Sequence, residues 1–239
     1  MNMLRVKPAR DLNADLLQFR KTYGIDRIIG VSGGADDKLV GIPDDDPLQD
    51  LRANYQEALH ERLLQDALKP LRGYRVAFLT GGTKWGIPKL AVKVARNLGF
   101  PTIGVLPMTG EHHALDDEML DLKIVVEPLL GEGAWGDEGP VWTSLIDGLI
   151  VIGGAAGTLT ELAHIMKLNE ALCKRGVRPK FMVPIHGTGG VSDQVHQLWA
   201  KPAIRDRSMP RDRVYSGEQA ARLLIEALDL EYCVNDANN

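Results

Sequence analysis

Short apolar runs alternate with amphipathic stretches along most of the chain. Residues 27–31, 74–79, 102–106, 123–126, 149–152 and 180–185 are rich in Ile, Val and Leu with little polar interruption. Runs of that length and composition predict strands buried on both faces of a sheet. Between them lie patterns of helical period: residues 11–23, 49–69, 86–98, a short piece near 140–146, 158–173 and 192–200. A last helix, capped by Ser216, is expected to end near Leu228. Strand–helix alternation of this kind predicts an α/β fold, with a doubly wound, mainly parallel sheet and helices on both faces. Residues 1–10 read as a loose lead-in, 35–48 as an acidic solvated loop, 201–213 as a basic loop, and 213–215 as a last short strand. The segment from Val234 onward reads as a frayed tail. No repeat or linker divides the chain, which reads as one domain over 1–239 with a helical addition over about 1–25.

Glycines fall where this architecture binds ligands. Ser32-Gly33-Gly34, Gly81-Gly82-Thr83, Gly153-Gly154 and the turn running to Gly189-Gly190 each follow a predicted strand. In a parallel sheet all strand carboxyl ends share one edge, and open α/β sheets take their ligands there. Gly157 and Thr158 then open a helical pattern, and a helix N-terminus offers unpaired N–H groups and a partial positive charge. The expected site is therefore Ser32, Gly33, Gly34, Gly81, Gly82, Thr83, Gly153, Gly154, Gly157, Thr158, Glu161, Gly189 and Gly190, holding a nucleotide-type small molecule. Thr158-Leu159-Thr160-Glu161 also fits a capping box with Thr158 as cap, which needs no ligand.

Composition narrows the class. The 239 residues are 44% hydrophobic and 25% charged, with a formal charge of −4. That balance suits a globular domain and speaks against nucleic acid as a partner. No apolar run approaches the roughly 20 residues of a membrane helix. Cys173 and Cys233 are isolated, without metal spacing or a disulfide framework. These features predict a cytoplasmic protein with neither a bound cofactor nor a metal.

Other residues carry two readings each. His186 ends a strand and is structural or chemical. His112-His113 reads as an exposed loop. Arg205, Arg207 and Arg211 clamp phosphate or decorate a solvated loop. Trp135 and Trp142 stack on a base or pack in the core. Asp137 and Glu138 face a sugar or metal, or belong to a solvated acidic loop.

The stretch Gly153-Gly154-Ala155-Ala156-Gly157-Thr158-Leu159-Thr160-Glu161 resembles the PGGxGTxxE motif of the LOG family, often called lysine decarboxylase-like. Gly81-Gly82, Ile87 with its alanine-bearing helix, and Ile103-Gly104-Val105-Leu106-Pro107 resemble further segments of it. The likeness spans about residues 26–200, and the wider SLOG superfamily also contains DprA-related proteins. It implies a modified Rossmann fold, a homodimer or larger homo-oligomer, and a phosphoribohydrolase that cleaves the N-glycosidic bond of a nucleoside 5′-monophosphate. Glu161 matches the family's catalytic glutamate. Two departures stand out. Gly153 replaces the motif's proline and Ala155 its second glycine. Gly136-Asp137-Glu138-Gly139-Pro140 stands where the family has an Arg-Lys pair. Glu161 therefore reads as a ribose-hydroxyl acceptor, a cap or a catalytic residue. The leading expectation is a nucleotide-binding protein of the sensor type, with the hydrolase as the alternative.

Overall fold

The computed structural model describes residues 2–6, 12–35, 48–128, 131, 133–199 and 201–233. In chain order the elements are β1 (Asn2–Val6), α1 (Leu12–Tyr23), β2 (Arg27–Gly33), α2 (Gln49–Leu68), β3 (Val76–Thr80), α3 (Gly86–Asn97), β4 (Thr102–Pro107) and β5 (Leu122–Val126). Then come α4 (Gly139–Leu145), β6 (Gly148–Ile152), α5 (Ala156–Lys174), β7 (Phe181–Ile185), α6 (Gly190–Gln194), α7 (Pro202–Ser208) and α8 (Gly217–Leu228). Among the described residues seven strands form one sheet in the order β1-β5-β4-β3-β2-β6-β7, and every neighbouring pair is parallel.

The expected α/β class and parallel sheet are what the structure has, and the reason is visible strand by strand. β3, β4, β5 and β6 are buried along their whole length. Alternate residues feed two cores, as the period of two requires. Ile28, Ala77, Leu79, Ile103, Leu149 and Val151 meet α1, α4 and α5 through Phe19, Trp142, Leu162 and Ile165. Ile29, Val31, Phe78, Ile150, Ile152 and Val183 meet α2, α3 and α8 through Leu64, Leu68, Leu90, Val94 and Leu224. Each such Leu or Ile, once fully buried, contributes about 1.5–3 kcal/mol.

Four details depart from the sequence expectations. Residues 2–6 are an edge strand paired with β5, not a lead-in. Residues 202–208 form α7, opened by Pro202 in its first turn, where the sequence suggested a basic loop. The proposed strand at 213–215 is a single bridge, Val214 to Ile185. The predicted helix over 192–200 is the short α6 followed by a 3-10 turn over Val195–Gln197. Most of the acidic loop, residues 36–47, and the tail from Val234 lie outside the described residues.

Strand order turns at one place. From β2 the chain runs outward through β3, β4 and β5, then crosses back so that β6 lies on the other side of β2. The carboxyl ends of β2 and β6, with Gly33 opposite Ile152, mark this switch point, where sheets of this type open a crevice.

Candidate functional site

β2 delivers Ser32 to the switch point, and β6 delivers the turn that starts α5. Gly153 and Gly154 both have positive φ, 59° and 94°. A Cβ on Gly154 would lie 2.4 Å from the Thr158 hydroxyl, so only glycine lets the helix fold back this closely. α5 begins at Ala156, two residues earlier than the sequence pattern suggested. Its N-cap is Ala155, and no side chain caps it. The capping-box reading of Thr158 and Glu161 is thus overturned: Ala155 leaves the first-turn N–H groups without a side-chain acceptor, and Thr158 already lies within the helix. Gly157 sits in that first turn, exposed, with nothing within 4 Å of a Cβ placed on it.

Thr158 and Glu161 turn instead toward β2. The buried Ser32 hydroxyl donates to Glu161 Oε2 and lies 3.3 Å from Thr158 Oγ1. Glu161 keeps some accessible surface, but its carboxyl end is closely surrounded. Burial pushes the pKa of that carboxyl up to about 8, the Ser32 hydrogen bond opposes the rise, and the Glu138 carboxylate adds to it. At neutral pH Glu161 is therefore chiefly a neutral acid that can donate a proton or a hydrogen bond. Glu138 immediately precedes α4, which packs on α5. Its pKa is also raised, first by burial and lastly by Asp137, against the pull of the Gly136 amide 2.8 Å away. The position that carries a cation in the LOG pattern thus holds a half-buried carboxyl that acts electrostatically on Glu161. The sequence offered Glu138 as facing a sugar or metal or as part of a solvated acidic loop, and nothing local signals its approach to α5.

The remaining glycine turns reach the same edge but present themselves differently. Ser32-Gly33-Gly34 is locked: the Gly34 carbonyl accepts from Ile87 N at 2.8 Å, and a Cβ on Gly33 would strike Ile152 O and Ile87. The Gly82 amide donates to Thr80 Oγ1 at 3.0 Å, and the buried Thr83 bridges to Ala114. At Gly187 and Gly189 the amides bind the Asp193 carboxylate at 2.7 and 3.1 Å. The Val191 and Ser192 amides of α6 bind the Gly154 and Gly153 carbonyls. Thr188 Oγ1 accepts from Gly153 N at 2.8 Å. Gly189 and Gly190 therefore brace the α5 turn from behind.

The paired readings also separate. Trp142 is fully buried in the core, whereas Trp135 is 57% exposed. His186 is buried, bonded to His196 at 3.0 Å and held below its usual pKa chiefly by that burial. Arg205 and Arg211 pair with Asp206. Among the described residues no three His, Cys, Asp or Glu side chains cluster as metal ligands. No described helix is long and apolar enough to cross a membrane.

Residues 71–177 match the model of the SLOG cluster4 family. The SLOG resemblance read from the sequence is thereby borne out, across β3 to α5 and through the whole of the central motif. Three solved structures show the fold again. A structural-genomics target, TM1055, is 19% identical, covering 84% of this chain and 99% of its own, with a TM-score of 0.54. A molybdenum cofactor binding protein from the phototrophic bacterium Rippkaea orientalis is 20% identical over 85% of this chain and 97% of its own, at 0.53. The molybdenum cofactor carrier protein of Chlamydomonas reinhardtii is 21% identical over 85% and 98%, at 0.51. No curated protein matches the sequence.

Proposed function

We propose that the protein binds a nucleotide or nucleotide derivative at the switch point, with phosphate on the first turn of α5. The observation that carries this reading is the uncapped N-terminus of α5 beside the Ser32–Glu161 pair. Free first-turn N–H groups and the helix dipole favour an anion. A carboxylate at Glu161 would repel phosphate, but its raised pKa keeps it neutral near pH 7, so its hydroxyl can donate to the ligand. Ser32, Gly157, Thr158 and Glu161 are the contact residues in this reading. Gly153, Gly154, Gly189 and Gly190 shape the turn, and Gly33, Gly34, Gly81, Gly82 and Thr83 line its far side. A thermal-shift panel tests it: nucleoside mono-, di- and triphosphates, with the molybdenum cofactor included because two of the fold relatives are a molybdenum cofactor binding protein and a molybdenum cofactor carrier protein. A stabilised melting transition with one ligand supports the reading, and no response to any of them contradicts it.

The hydrolase reading rests on one further observation. A carboxyl of pKa about 8 is the form in which Glu161 would act as a general acid, protonating the leaving base of an N-glycoside. Among the described residues no cation stands opposite it where the LOG pattern puts one. Release of free base from a nucleoside monophosphate, abolished by Glu161→Gln, would establish the enzyme. Binding without release leaves a binding protein or sensor.

A further inference from the structure

Four rings gather on the same sheet edge, beyond the ends of β3 and β4. Trp85, the N-cap residue of α3, lies 4.5 Å from His113 between ring centroids. His112 lies 3.7 Å from His113 between ring centroids. Trp135 is nearly parallel to His113, with an interplanar angle of 18° and centroids 6.3 Å apart. The backbone under the rings is stitched together: Lys84 N donates to His113 O at 3.0 Å, and Thr83 bridges to Ala114. Trp135 reaches the group because residue 110 is glycine, since a Cβ there would come within 2.7 Å of its ring. A core aromatic would be covered, yet Trp135 is 57% exposed and His112 is also exposed.

Two connections tie this ring group to the α5 site. The segment Ser32-Gly33-Gly34 starts at the Glu161 hydrogen bond and ends against Gly86 and Ile87, next to Trp85. The loop that carries Trp135 continues to Glu138, the carboxyl that acts on Glu161. A phosphate on α5 would leave the rest of a mononucleotide lying along one of these connections.

We propose that Trp135 and His113, backed by Trp85, form the subsite that takes a planar fused heterocycle of the ligand by stacking. This rests on the phosphate reading of α5 given above. The ring group supplies flat apolar faces, and desolvation, then His112 and Lys84, hold the His113 pKa below its usual value. Stacking tolerates any flat ring, so this end selects a class, a purine or an equally flat bicycle. Glu138 and Glu161 lie at the other end.

Guanosine 5′-monophosphate and ribose 5-phosphate, titrated against the full chain by calorimetry, test the proposal. The wild-type protein should bind the nucleotide about tenfold or more tightly than the sugar phosphate. Trp135→Ala should bring the nucleotide down to the sugar phosphate's affinity while leaving the latter unchanged, and Trp135→Phe should restore most of the difference. Equal affinity of the two ligands for the wild type would overturn the stacking subsite alone. So would an unaltered nucleotide affinity in Trp135→Ala, or an equal loss for both ligands. Binding of neither ligand would overturn this proposal, and no response across the wider nucleotide panel would overturn the phosphate reading as well.

Discussion

The turn before α5 and the turn before α6 look alike in sequence, each a glycine cluster between a buried strand and a helix. They use their glycines for opposite ends. Before α6, Asp193 folds back and takes the Gly187 and Gly189 amides, while the first α6 amides take carbonyls of the neighbouring turn. The donors are spent inside the protein. Before α5 the cap is Ala155, which has nothing to accept with. The acid one turn further on, Glu161, is drawn back to Ser32 and kept largely protonated. A glycine turn thus marks where backbone can come close. Whether it meets a ligand or its own chain is decided by the side chains one turn further on.

The largest effect should come from the braced turn. A Cβ on Gly190 would lie 2.1 Å from Gly154 O at a φ of 58°. Gly190→Ala should cost about 3 kcal/mol or more, read as a lowered denaturation midpoint. Retained stability would mean that the α6 turn does not brace its neighbour.

Next comes the pH dependence of Glu161. The folded state holds this proton up to about pH 8, against an ordinary 4.5 for the free side chain. Between those values the native state binds more protons than the unfolded one. Stability is therefore fully present below pH 4.5 and falls as pH rises through the window, by on the order of a few kcal/mol. Glu161→Gln, which mimics the neutral acid, should flatten that slope in urea titrations at pH 5, 6.5 and 8. An unchanged slope would place the proton elsewhere.

Asp193→Asn keeps the shape of the α6 turn and removes its charge. It should cost about 1–2 kcal/mol through weakened bonds to the two glycine amides. Nucleotide affinity should not change, since those amides are taken up by Asp193 and not offered to a ligand. The smallest stability effect belongs to Gly157→Ala. Its Cβ meets nothing in the protein, and alanine suits a helix better by up to about 1 kcal/mol. Thermal unfolding should show a neutral or slightly raised midpoint, while nucleotide affinity drops.

Much of this architecture was legible because buried parallel strands announce themselves. The run Leu149 to Ile152, between Gly148 and Gly153, had no other comfortable environment. β1 was not legible, since Asn2–Val6 carries an arginine and little pattern, and only β5 across the sheet makes it a strand. The start of α5 was misplaced because Thr158 has the chemistry of a cap, whereas Ala155 does the capping with none. Glu138 and Trp135 could not be assigned from spacing. What matters is the meeting of their loop with α5 and with His113, and long-range contacts of that sort leave no periodicity in the chain.

The central claim is that ligand approaches the open first turn of α5. The direct measurement is the ligand-induced shift in melting temperature for the wild type and for Gly157→Val. With a purine mononucleotide at 100 times its dissociation constant, the wild type should gain about 2.7 kcal/mol. For a chain of this size that is a shift of about 5–10 °C. Gly157→Val should melt close to the wild type without ligand and show no shift with it. An equal shift in both proteins would place the ligand elsewhere and contradict the account.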